Sequence, residues 1–451
     1  MIKQADIDAL KTRLSGLVIQ PGDAEYNHAR QVWNAMIDRR PRLIAQCLDK
    51  QDVQVALEFT RQHKLVVAVR GGGHSVAGHG VCDDGLVIDL SRMKAIEVDA
   101  SSQTVWAEPG LNWGEFDRAT QPYGLAVTGG LVSDTGVAGL TLGGGLGWLM
   151  RKHGLTADSL IAAELITADS RIVMADADNE PELLWGLKRG GGNFGVVTHF
   201  KFQLYPVGPI VLAGAVLYPL EQAAELLRFY RNYVQNTPEE LTTILFLRHM
   251  PSLPTVPPFM RGMPVIGINL CYCGGIEQGE RIVQPLRAFG PPLVDTISLK
   301  SYIKHQSAAD PTQPRGRKNY WKSNYQREIS DDAIDALIAG GETISSPYSV
   351  ISLYQLGGAL QLGDARFNLI ITATWEVSEP GEQHVAWARD LWQKMQTDSI
   401  GHAYNNFLGS DAIERAEEVY KNEYSRLQAL KARYDVGNLF RLNHNILPQD
   451  C

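Results

Sequence analysis

Three glycine-rich turns in the first half of the chain constrain its fold more than any other feature. They lie at residues 71–73, 143–147 and 190–195. The first directly follows the apolar stretch 65–69, which predicts a buried strand. Glycine has no Cβ, so backbone N–H groups in such a turn can approach a phosphate closely. The pattern therefore predicts an anion-binding turn, although a tight turn with an incidental histidine, His74, is an open alternative.

The residues next to these turns argue against four other kinds of site: a triphosphate-binding loop, a dinucleotide-binding motif, a serine-hydrolase turn and a metal site. The first turn lacks the Gly-Lys-Ser/Thr of a triphosphate-binding loop. The third matches the spacing of a dinucleotide-binding motif, but it follows a predicted helix over 182–188 and precedes a strand, the reverse of the required order. Ala77 stands where a serine-hydrolase turn needs glycine. His74 and His79 lack a third ligand, so no metal is expected.

Length and composition predict a folded enzyme that acts on small molecules. The chain has 451 residues, too many for one hydrophobic core, so two domains are expected. The net charge is −8, and no cluster of Lys and Arg interleaved with aromatic residues indicates a nucleic-acid surface. The five cysteines are sparse and odd in number, which favours a reducing cytoplasm. Neither a signal peptide nor a membrane-spanning segment is predicted.

The first 206 residues predict short strands that alternate with helices. Asp52 is predicted to cap a helix that leads into the strand at 65–69. Asn112 and Glu115 predict a capping box at the start of another helix. Apolar and polar residues alternate over 199–204, which predicts a strand with one buried face. This part of the chain is expected to be α+β.

The rest of the chain predicts a second α+β unit with a polar C-terminus. Helical spacing covers 223–233, and apolar strands are indicated near 241–247 and 265–271. The stretch 251–264 is rich in proline and methionine, which predicts an irregular loop. A long helical pattern over 411–433 precedes the polar, glycine-bearing end of the chain.

Several motifs occur in one order along the chain and together resemble a known flavoprotein family. They are VRGGGHS at 69–75, GLVIDLS at 85–91, PG at 109–110, the run at 136–147, GGNFGVVT at 191–198 and the closing segment at 434–448. In this order they are similar to the vanillyl-alcohol-oxidase flavoprotein superfamily, specifically to its berberine-bridge-enzyme-like branch. The motifs cover the family's whole FAD-binding part, so the resemblance is specific although each glycine cluster alone is weak.

The resemblance implies a two-domain α+β fold of the vanillyl-alcohol-oxidase type. Residues 1–206, with 405–451 returning to them, would form the FAD-binding domain, and 207–404 the α+β substrate-binding domain. His74 would be bonded covalently to the flavin. The residues expected to contact FAD are Arg70, Gly71, Gly72, Gly73, His74, Ser75, His79, Gly80, Gly129, Ser133, Gly136, Val137, Gly143, Gly147, Val197, Asn443 and Asn445.

Two positions bear on how the flavin is held and reoxidised. Many relatives add a cysteine bonded to the flavin, and aligning Gly136 with the family pattern puts Val132 at that place. Valine cannot form a thioether, so a single linkage through His74 is expected. The position that governs oxygen access in the family falls near Thr135, where typical oxidases have valine. The electron acceptor, oxygen or another molecule, therefore stays open.

The resemblance leaves the general base unassigned. Relatives often carry Tyr-x-Asn-Tyr, whose second tyrosine accepts a proton, whereas this chain has Phe407 at that place. Phenylalanine cannot take a proton. Tyr404, Tyr354 and His79 are the candidates, since a base must lie within hydrogen-bond reach of the substrate. For each tyrosine, a core aromatic residue with a satisfied hydroxyl is the alternative.

We therefore expect an FAD-dependent oxidoreductase that transfers hydride from an alcohol or amine carbon to the flavin. The substrate would be a small organic or carbohydrate-like molecule, with Tyr404 and Tyr354 as the catalytic candidates. Two alternatives stay open: a flavoprotein that catalyses a non-redox cyclisation or isomerisation, and a non-catalytic FAD binder. The expected partners are the substrate and an electron acceptor, with no nucleic acid and no membrane.

Overall fold

The computed structural model describes residues 2–254, 256–401, 403–409 and 419–449, except for the side chain of residue 421. Over these residues the chain builds three main sheets with helices packed against them. The predicted α+β class is confirmed. In the described part of the chain, no helix is long and apolar enough to cross a membrane.

The first sheet carries the first glycine-rich turn at its edge. Its strands are β1 (Leu17–Ile19), β2 (Leu43–Gln46), β3 (Val67–Arg70) and β4 (Leu86–Asp89). They lie in the order β1-β2-β4-β3, with β4 parallel to β2 and β3. All of β4 is buried, as expected for an apolar parallel strand that is covered on both faces. The turn at 71–73 begins where β3 ends.

The second sheet is antiparallel and lies in the order β5-β6-β10-β8-β9. Along β10 the side chains of Phe200 and Phe202 are buried, whereas those of His199 and Lys201 are partly exposed, so the predicted alternation is confirmed. A two-stranded sheet pairs β7 with β11. The strands of both sheets are β5 (Ile96–Asp99), β6 (Thr104–Ala107), β7 (Leu125–Ala126), β8 (Leu160–Ile166), β9 (Ile172–Ala175), β10 (Val196–Gln203) and β11 (Tyr205–Pro206).

The third sheet is formed by residues of the second half of the chain. Its order is β15-β12-β14-β13-β18-β19-β17, with β16 paired to β12. Both apolar strands predicted near 241–247 and 265–271 belong to it. Its strands are β12 (Ile210–Pro219), β13 (Leu241–His249), β14 (Pro264–Tyr272), β15 (Val294–Asp295), β16 (Ser298–Ser301), β17 (Lys318–Gln326), β18 (Val350–Gln355) and β19 (Phe367–Trp375).

The helices cover the outer faces of the sheets. Side chains of α8, α9, α11 and α12 form one buried apolar core with the third sheet. The helix predicted over 182–188 is confirmed and ends at the third glycine-rich turn. The α-helices are α1 (Gln4–Arg13), α2 (Tyr26–Ala29), α3 (Lys50–Gln62), α4 (Trp113–Thr120), α5 (Val137–Leu142), α6 (Met150–His153), α7 (Pro181–Gly190), α8 (Ala223–Tyr233), α9 (Ile276–Ala288), α10 (Tyr302–Gln306), α11 (Asp331–Glu342), α12 (Glu382–Lys394) and α13 (Tyr424–Tyr434).

The cap of α3 differs from the prediction. Asp49, not Asp52, is the N-cap residue, and its carboxylate accepts a hydrogen bond from the Asp52 N–H at 2.9 Å. Asp52 is buried inside the helix, and its carboxylate accepts from the N–H groups of Ser15, Gly16 and Leu48. Because those partners lie outside the helix, this carboxylate ties the chain ahead of β1 to the start of α3.

Other local predictions agree with the structure. The capping box of α4 is present, with Asn112 and Glu115 bonding each other's backbone N–H groups at 2.9 Å. In the predicted loop, residues 251–254 and 256–263 are irregular apart from a short 3₁₀ helix, Pro258–Met260, and Pro264 already begins β14. The sequence predicts a helix over 411–433. Residues 411–418 lie outside the described residues, and α13 (Tyr424–Tyr434) confirms the C-terminal part of the prediction.

Contacts join the two halves of the chain. Arg151 of α6 donates hydrogen bonds to the carbonyl oxygens of Pro238 at 2.8 Å and Leu356 at 3.3 Å. The predicted domain boundary at 206 falls between β11 and β12. The division into domains stays a prediction, because these contacts tie the halves together without marking a boundary.

Candidate functional site

A cavity of about 480 Å³ lies between the glycine-rich turns and the third sheet. The C-terminal segment after α13 closes one side of it. Most of the predicted site residues line its wall, which brings distant parts of the sequence together. They are Arg70, Gly71, Gly72, Gly73, His74, Ser75, His79, Gly80, Gly136, Gly143, Val197, Tyr354, Tyr404 and Asn443.

Five other predicted residues lie behind this wall. Gly129 and Gly147 pack backbone against backbone, since a Cβ on Gly147 would lie 1.9 Å from the Gly129 carbonyl oxygen. The Ser133 hydroxyl and N–H bond the Asp310 carboxylate at 2.5 and 2.8 Å. These three residues do not line the cavity themselves, and their contact with FAD stays a prediction.

Val137 and Asn445 complete this set. Val137 begins α5 and is fully buried in the core of the second sheet. Asn445 is half-buried outside the cavity, with a buried Oδ1 that has no hydrogen-bond partner. Their neighbours Gly136 and His444 line the cavity instead. Contact of Val137 and Asn445 with FAD therefore stays a prediction.

His74 presents an unpartnered nitrogen at the cavity wall. Its Nε2 is buried without a hydrogen-bond partner among the described residues, and its ring stacks on Trp33 with centroids 4.6 Å apart. Burial, followed by the positive charge of Arg315, lowers the pKa of His74 to about 3. The imidazole is therefore neutral at ordinary pH. The sequence did not predict Trp33, because no motif near it indicates that it packs on His74, which lies in a different segment of the chain.

The Tyr404 hydroxyl is surrounded by donors. Its oxygen accepts from the N–H groups of Gly145 at 2.7 Å and Leu146 at 3.1 Å, and from Asn406 Nδ2 at 2.8 Å. The turn offers two N–H groups because Gly144 and Gly145 have φ of +111° and +95°, which glycine adopts without strain. Burial raises the pKa of Tyr404 to about 12, although all three hydrogen bonds lower it.

Phe407 lies among the aromatic rings of the candidate substrate region. Its ring is 4.8 Å from that of Tyr404 and 5.7 Å from those of Tyr354 and Trp321. Burial raises the pKa of Tyr354. The phenylalanine at the usual position of the base thus packs between the two tyrosines that remain as candidates.

His79 is poorly suited to act as a base. Its ring lies 5.3 Å from that of His444, and its Nε2 is buried without a partner. Burial and then the neighbouring His444 lower the pKa of His79 to about 3. A general base works best when its pKa is near the operating pH, so the low pKa counts against His79, as the raised pKa values count against Tyr404 and Tyr354.

The third glycine-rich turn is joined to the C-terminal segment by Asn193. Its Nδ2 donates to the carbonyl oxygens of Gly190 at 2.7 Å and His444 at 3.1 Å, and its Oδ1 accepts from Ile446 N–H at 3.0 Å. Asn193 belongs to the GGNFGVVT motif, so the sequence marked it, but its partners His444 and Ile446 lie about 250 residues further along. This junction places Asn443 and His444 on the cavity wall.

The wall suits a bound diphosphate cofactor. The lining residues of the described chain include no Asp or Glu, whereas they include glycines from all three glycine-rich turns. Backbone N–H groups of such turns bind phosphate oxygens, and no lining carboxylate would repel them. Arg70 also lines the cavity, but its guanidinium is paired with the buried Asp89 carboxylate at 2.8 Å. Among the described residues, no group of three or more metal-ligating side chains is found.

Comparisons with known proteins agree with this geometry. Residues 41–176 match the family model for an FAD binding domain, and residues 403–447 match the berberine and berberine-like model. An FAD-linked oxidoreductase of Dictyostelium discoideum is 31% identical over 96% of this chain and 95% of its own. The chain belongs to the berberine-bridge-enzyme-like family of FAD-linked oxidoreductases.

Two further comparisons bear on the fold of this family member. The (R)-6-hydroxynicotine oxidase of Paenarthrobacter nicotinovorans is 29% identical over 97% of both chains. The crystal structure of 6-hydroxy-D-nicotine oxidase from Arthrobacter nicotinovorans superimposes with a TM-score of 0.88 at 27% identity, covering 97% of this chain and 98% of the other. The predicted fold and the assignment as an FAD-dependent oxidoreductase of small molecules are thus confirmed. The non-redox and non-catalytic alternatives are not favoured.

Proposed function

We propose that this oxidoreductase holds FAD through one covalent bond to His74. The support is the buried, unpartnered Nε2 on the cavity wall and the low pKa, which leaves the imidazole free of a proton and able to bond to carbon. Among the described residues, no cysteine lines the cavity, and Val132, which does, cannot form a thioether. A second covalent bond is therefore not expected.

Denaturing the purified protein tests this linkage. The yellow fluorescence should stay with the wild-type polypeptide and be lost from His74→Ala. His28→Ala is the matched control, because His28 is exposed on α2, and it should keep its flavin. Flavin that stays attached to denatured His74→Ala would disprove the assignment.

We further propose that the enzyme oxidises an alcohol or amine carbon of a small molecule, with Tyr404 as the proton acceptor. The observation that carries this is the ring of three donors around the Tyr404 oxygen. A neutral phenol has two lone pairs and its own proton to place, whereas a phenolate accepts three hydrogen bonds. The donors therefore stabilise the phenolate form, although burial outweighs them and the pKa of Tyr404 stays raised, at about 12.

The chain's own residues have distinct parts in this reaction. When bound, FAD supplies the acceptor for the hydride that leaves the substrate carbon. Tyr404 takes the proton of the substrate hydroxyl or amine once one of the three hydrogen bonds to its oxygen opens, because these bonds occupy all the lone pairs of the phenolate. Tyr354 lines the cavity from β18, and its hydroxyl, which has no hydrogen-bond partner among the described residues, bonds the substrate. Phe407 and Trp321, whose rings contact each other edge to face, give this part of the cavity an apolar wall.

Anaerobic mixing with candidate substrates tests the reaction. The panel contains primary and secondary alcohols, amines, oligosaccharides and, because of the relative described above, (R)-6-hydroxynicotine. Bleaching of the flavin absorbance by at least one alcohol or amine is the expected result. If none bleaches the flavin while dithionite does, the proposed reaction is wrong.

The electron acceptor is proposed to be oxygen or a small oxidant that reaches the same cavity. Thr135 lines that cavity, where typical oxidases of the family have valine. After anaerobic reduction by a substrate, the rate at which the absorbance returns is measured in air and with a quinone-type dye. A faster return in air identifies an oxidase, and a faster return with the dye identifies a dehydrogenase.

A cytoplasmic location is also proposed. The four cysteines that the structure describes, Cys47, Cys82, Cys271 and Cys273, are free thiols, in keeping with a reducing compartment. Cell fractionation followed by immunodetection tests this, and recovery of the protein outside the cytoplasmic fraction would contradict it.

A further inference from the structure

The strand β13 directs one cation into the cavity. Side chains alternate between the two faces of a strand. On β13, Ile244, Phe246 and Arg248 line the cavity, whereas Leu245 and Leu247 are buried in the core beneath the helices. Arg248 therefore faces the same space as the glycine-rich turns, from the opposite wall.

Arg248 has no counterion among the residues that the structure describes. Its side chain makes one long hydrogen bond, from Nε to the His249 carbonyl oxygen at 3.4 Å, and no ion pair with any described residue. Burial alone lowers the pKa of Arg248 to about 10, and no neighbouring carboxylate raises it again. The other arginine on the wall, Arg70, is neutralised by Asp89. The lining residues of the described chain include no lysine, aspartate or glutamate.

An unpaired guanidinium in such a place calls for an anion. Arg248 is partly buried, and removing a charge from water without a partner is costly, so arginines in such places are normally paired. The planar guanidinium offers two parallel N–H groups that match a carboxylate. A ligand carboxylate would supply the negative charge that the lining residues of the described chain lack. A cationic group placed beside Arg248 would be repelled.

The residues around Arg248 are mostly apolar, with one serine nearby. In the sheet Arg248 lies opposite Val350 of β18 and Val265 of β14, and Phe246 is the next cavity-facing residue along β13. Ser352, opposite Phe246, also lines the cavity. An apolar body that carries a carboxylate would fit these contacts.

We propose that the substrate of this enzyme is an organic acid whose carboxylate pairs with Arg248. Its oxidised alcohol or amine carbon lies at the other end, towards Tyr354 and Tyr404. Tyr354 lies opposite Ile244 in the sheet. Ile244 and Arg248 are four residues apart on β13, so their Cα atoms are about 13 Å apart at ~3.3 Å per residue. This inference rests on the proposed function, since it names the substrate class for the same cavity.

FAD itself is an anion, so the test separates two partners for Arg248. Benzoate, phenylacetate and hexanoate, each beside its neutral primary amide, are titrated into the oxidised protein that carries flavin. The shift of the flavin spectrum and the heat of binding give the dissociation constants. No turnover is involved, so the result does not depend on whether the proposed oxidation is correct.

The expected result is that the acids bind at least about tenfold more tightly than their amides, as a charge-assisted hydrogen bond implies. Arg248→Met should abolish this preference, and Arg248→Lys should keep part of it. Arg281→Met is the control, because Arg281 is exposed and does not line the cavity. It should bind like the wild type. All variants should retain their flavin.

Three results would overturn the proposal. The first is equal binding of acids and amides by the wild type, or no binding of either. The second is a preference for acids that survives in Arg248→Met. The third is a loss of flavin from Arg248→Met with unchanged binding of acids by the protein that keeps it, which would assign Arg248 to the cofactor diphosphate.

Discussion

The backbone of Gly72 lies directly against that of Gly136. A Cβ added to Gly72 would be 2.6 Å from the Gly136 Cα, and one added to Gly136 would be 2.5 Å from the Gly72 N. Real Cβ atoms do not approach backbone so closely. The two segments that the family motifs mark separately therefore form one wall, and each needs glycine because of the other.

Gly72→Ala should force these segments apart. Overpacking of a well-packed interior typically costs about 1–3 kcal/mol, and here both contacting atoms belong to backbone. We expect a lower melting temperature and less flavin per chain. Gly275→Ala is the matched control, since a Cβ there meets no atom within 4 Å. Full flavin content in Gly72→Ala would show that the close approach is not needed.

Tyr404→Phe should affect both stability and the rate of flavin reduction. The buried N–H groups of Gly145 and Leu146 would lose their acceptor, at a cost of about 1–3 kcal/mol. If Tyr404 accepts the substrate proton, its loss should lower the rate of anaerobic reduction about 10²–10⁴-fold. It should also remove the rise of that rate with pH, which a purely structural role would leave in place.

Tyr354→Phe is the comparison for this variant. The Tyr354 hydroxyl has no hydrogen-bond partner among the described residues, so its removal should leave the melting temperature nearly unchanged. We expect weaker substrate binding while the rise with pH persists. If Tyr354→Phe loses the rise with pH and Tyr404→Phe keeps it, the two roles are reversed.

Asp117 should make stability depend on pH. It is buried in α4, where Oδ2 accepts from Gln306 Nε2 at 3.2 Å and Oδ1 has no partner. Burial raises the pKa of Asp117 to about 7, against about 3.9 in an unfolded chain. Between these values the unfolded state releases the proton and the folded state keeps it, so the free energy of unfolding falls as pH rises.

Asp117→Asn removes this contribution. From pH 4 to 7 the variant should gain stability relative to the wild type, by about 1.4 kcal/mol per pH unit at most. Denaturant unfolding at each pH measures the difference. The exposed Asp178→Asn should follow the wild type. Parallel curves for Asp117→Asn and the wild type would mean that Asp117 titrates normally in the folded protein.

Lys431 should be essential to the closing segment. Its buried Nζ donates to the Asp435 carboxylate at 2.7 Å and to the carbonyl oxygens of Asn193 and Phe440, each at 2.9 Å. Lys431→Met leaves a buried carboxylate unpaired, which typically costs about 3–5 kcal/mol. Adding Asp435→Asn should recover part of the loss. A double variant less stable than Lys431→Met, by denaturant unfolding, would contradict this reading of the pair.

The sequence by itself determined the fold class, the cofactor and the position of His74. These features depend on short-range signals: glycines that permit particular backbone conformations, alternation along β10, and the capping box at Asn112. Such signals act within a few residues, so they survive without knowledge of the rest of the chain. Their order along the chain then identified the FAD-binding motifs as a set.

Only the tertiary structure decided which side chains meet in the cavity. Tyr404 accepts a hydrogen bond from Gly145, which lies 259 positions earlier in the chain. Asp52 does not cap its helix as predicted and accepts a hydrogen bond from the Ser15 N–H. No motif in the sequence distinguishes Arg248 from the other arginines. Only the structure shows that it lines the cavity and that no described carboxylate pairs with it. The physical reason is that hydrogen bonding and burial depend on contacts between distant segments, which local propensity does not encode.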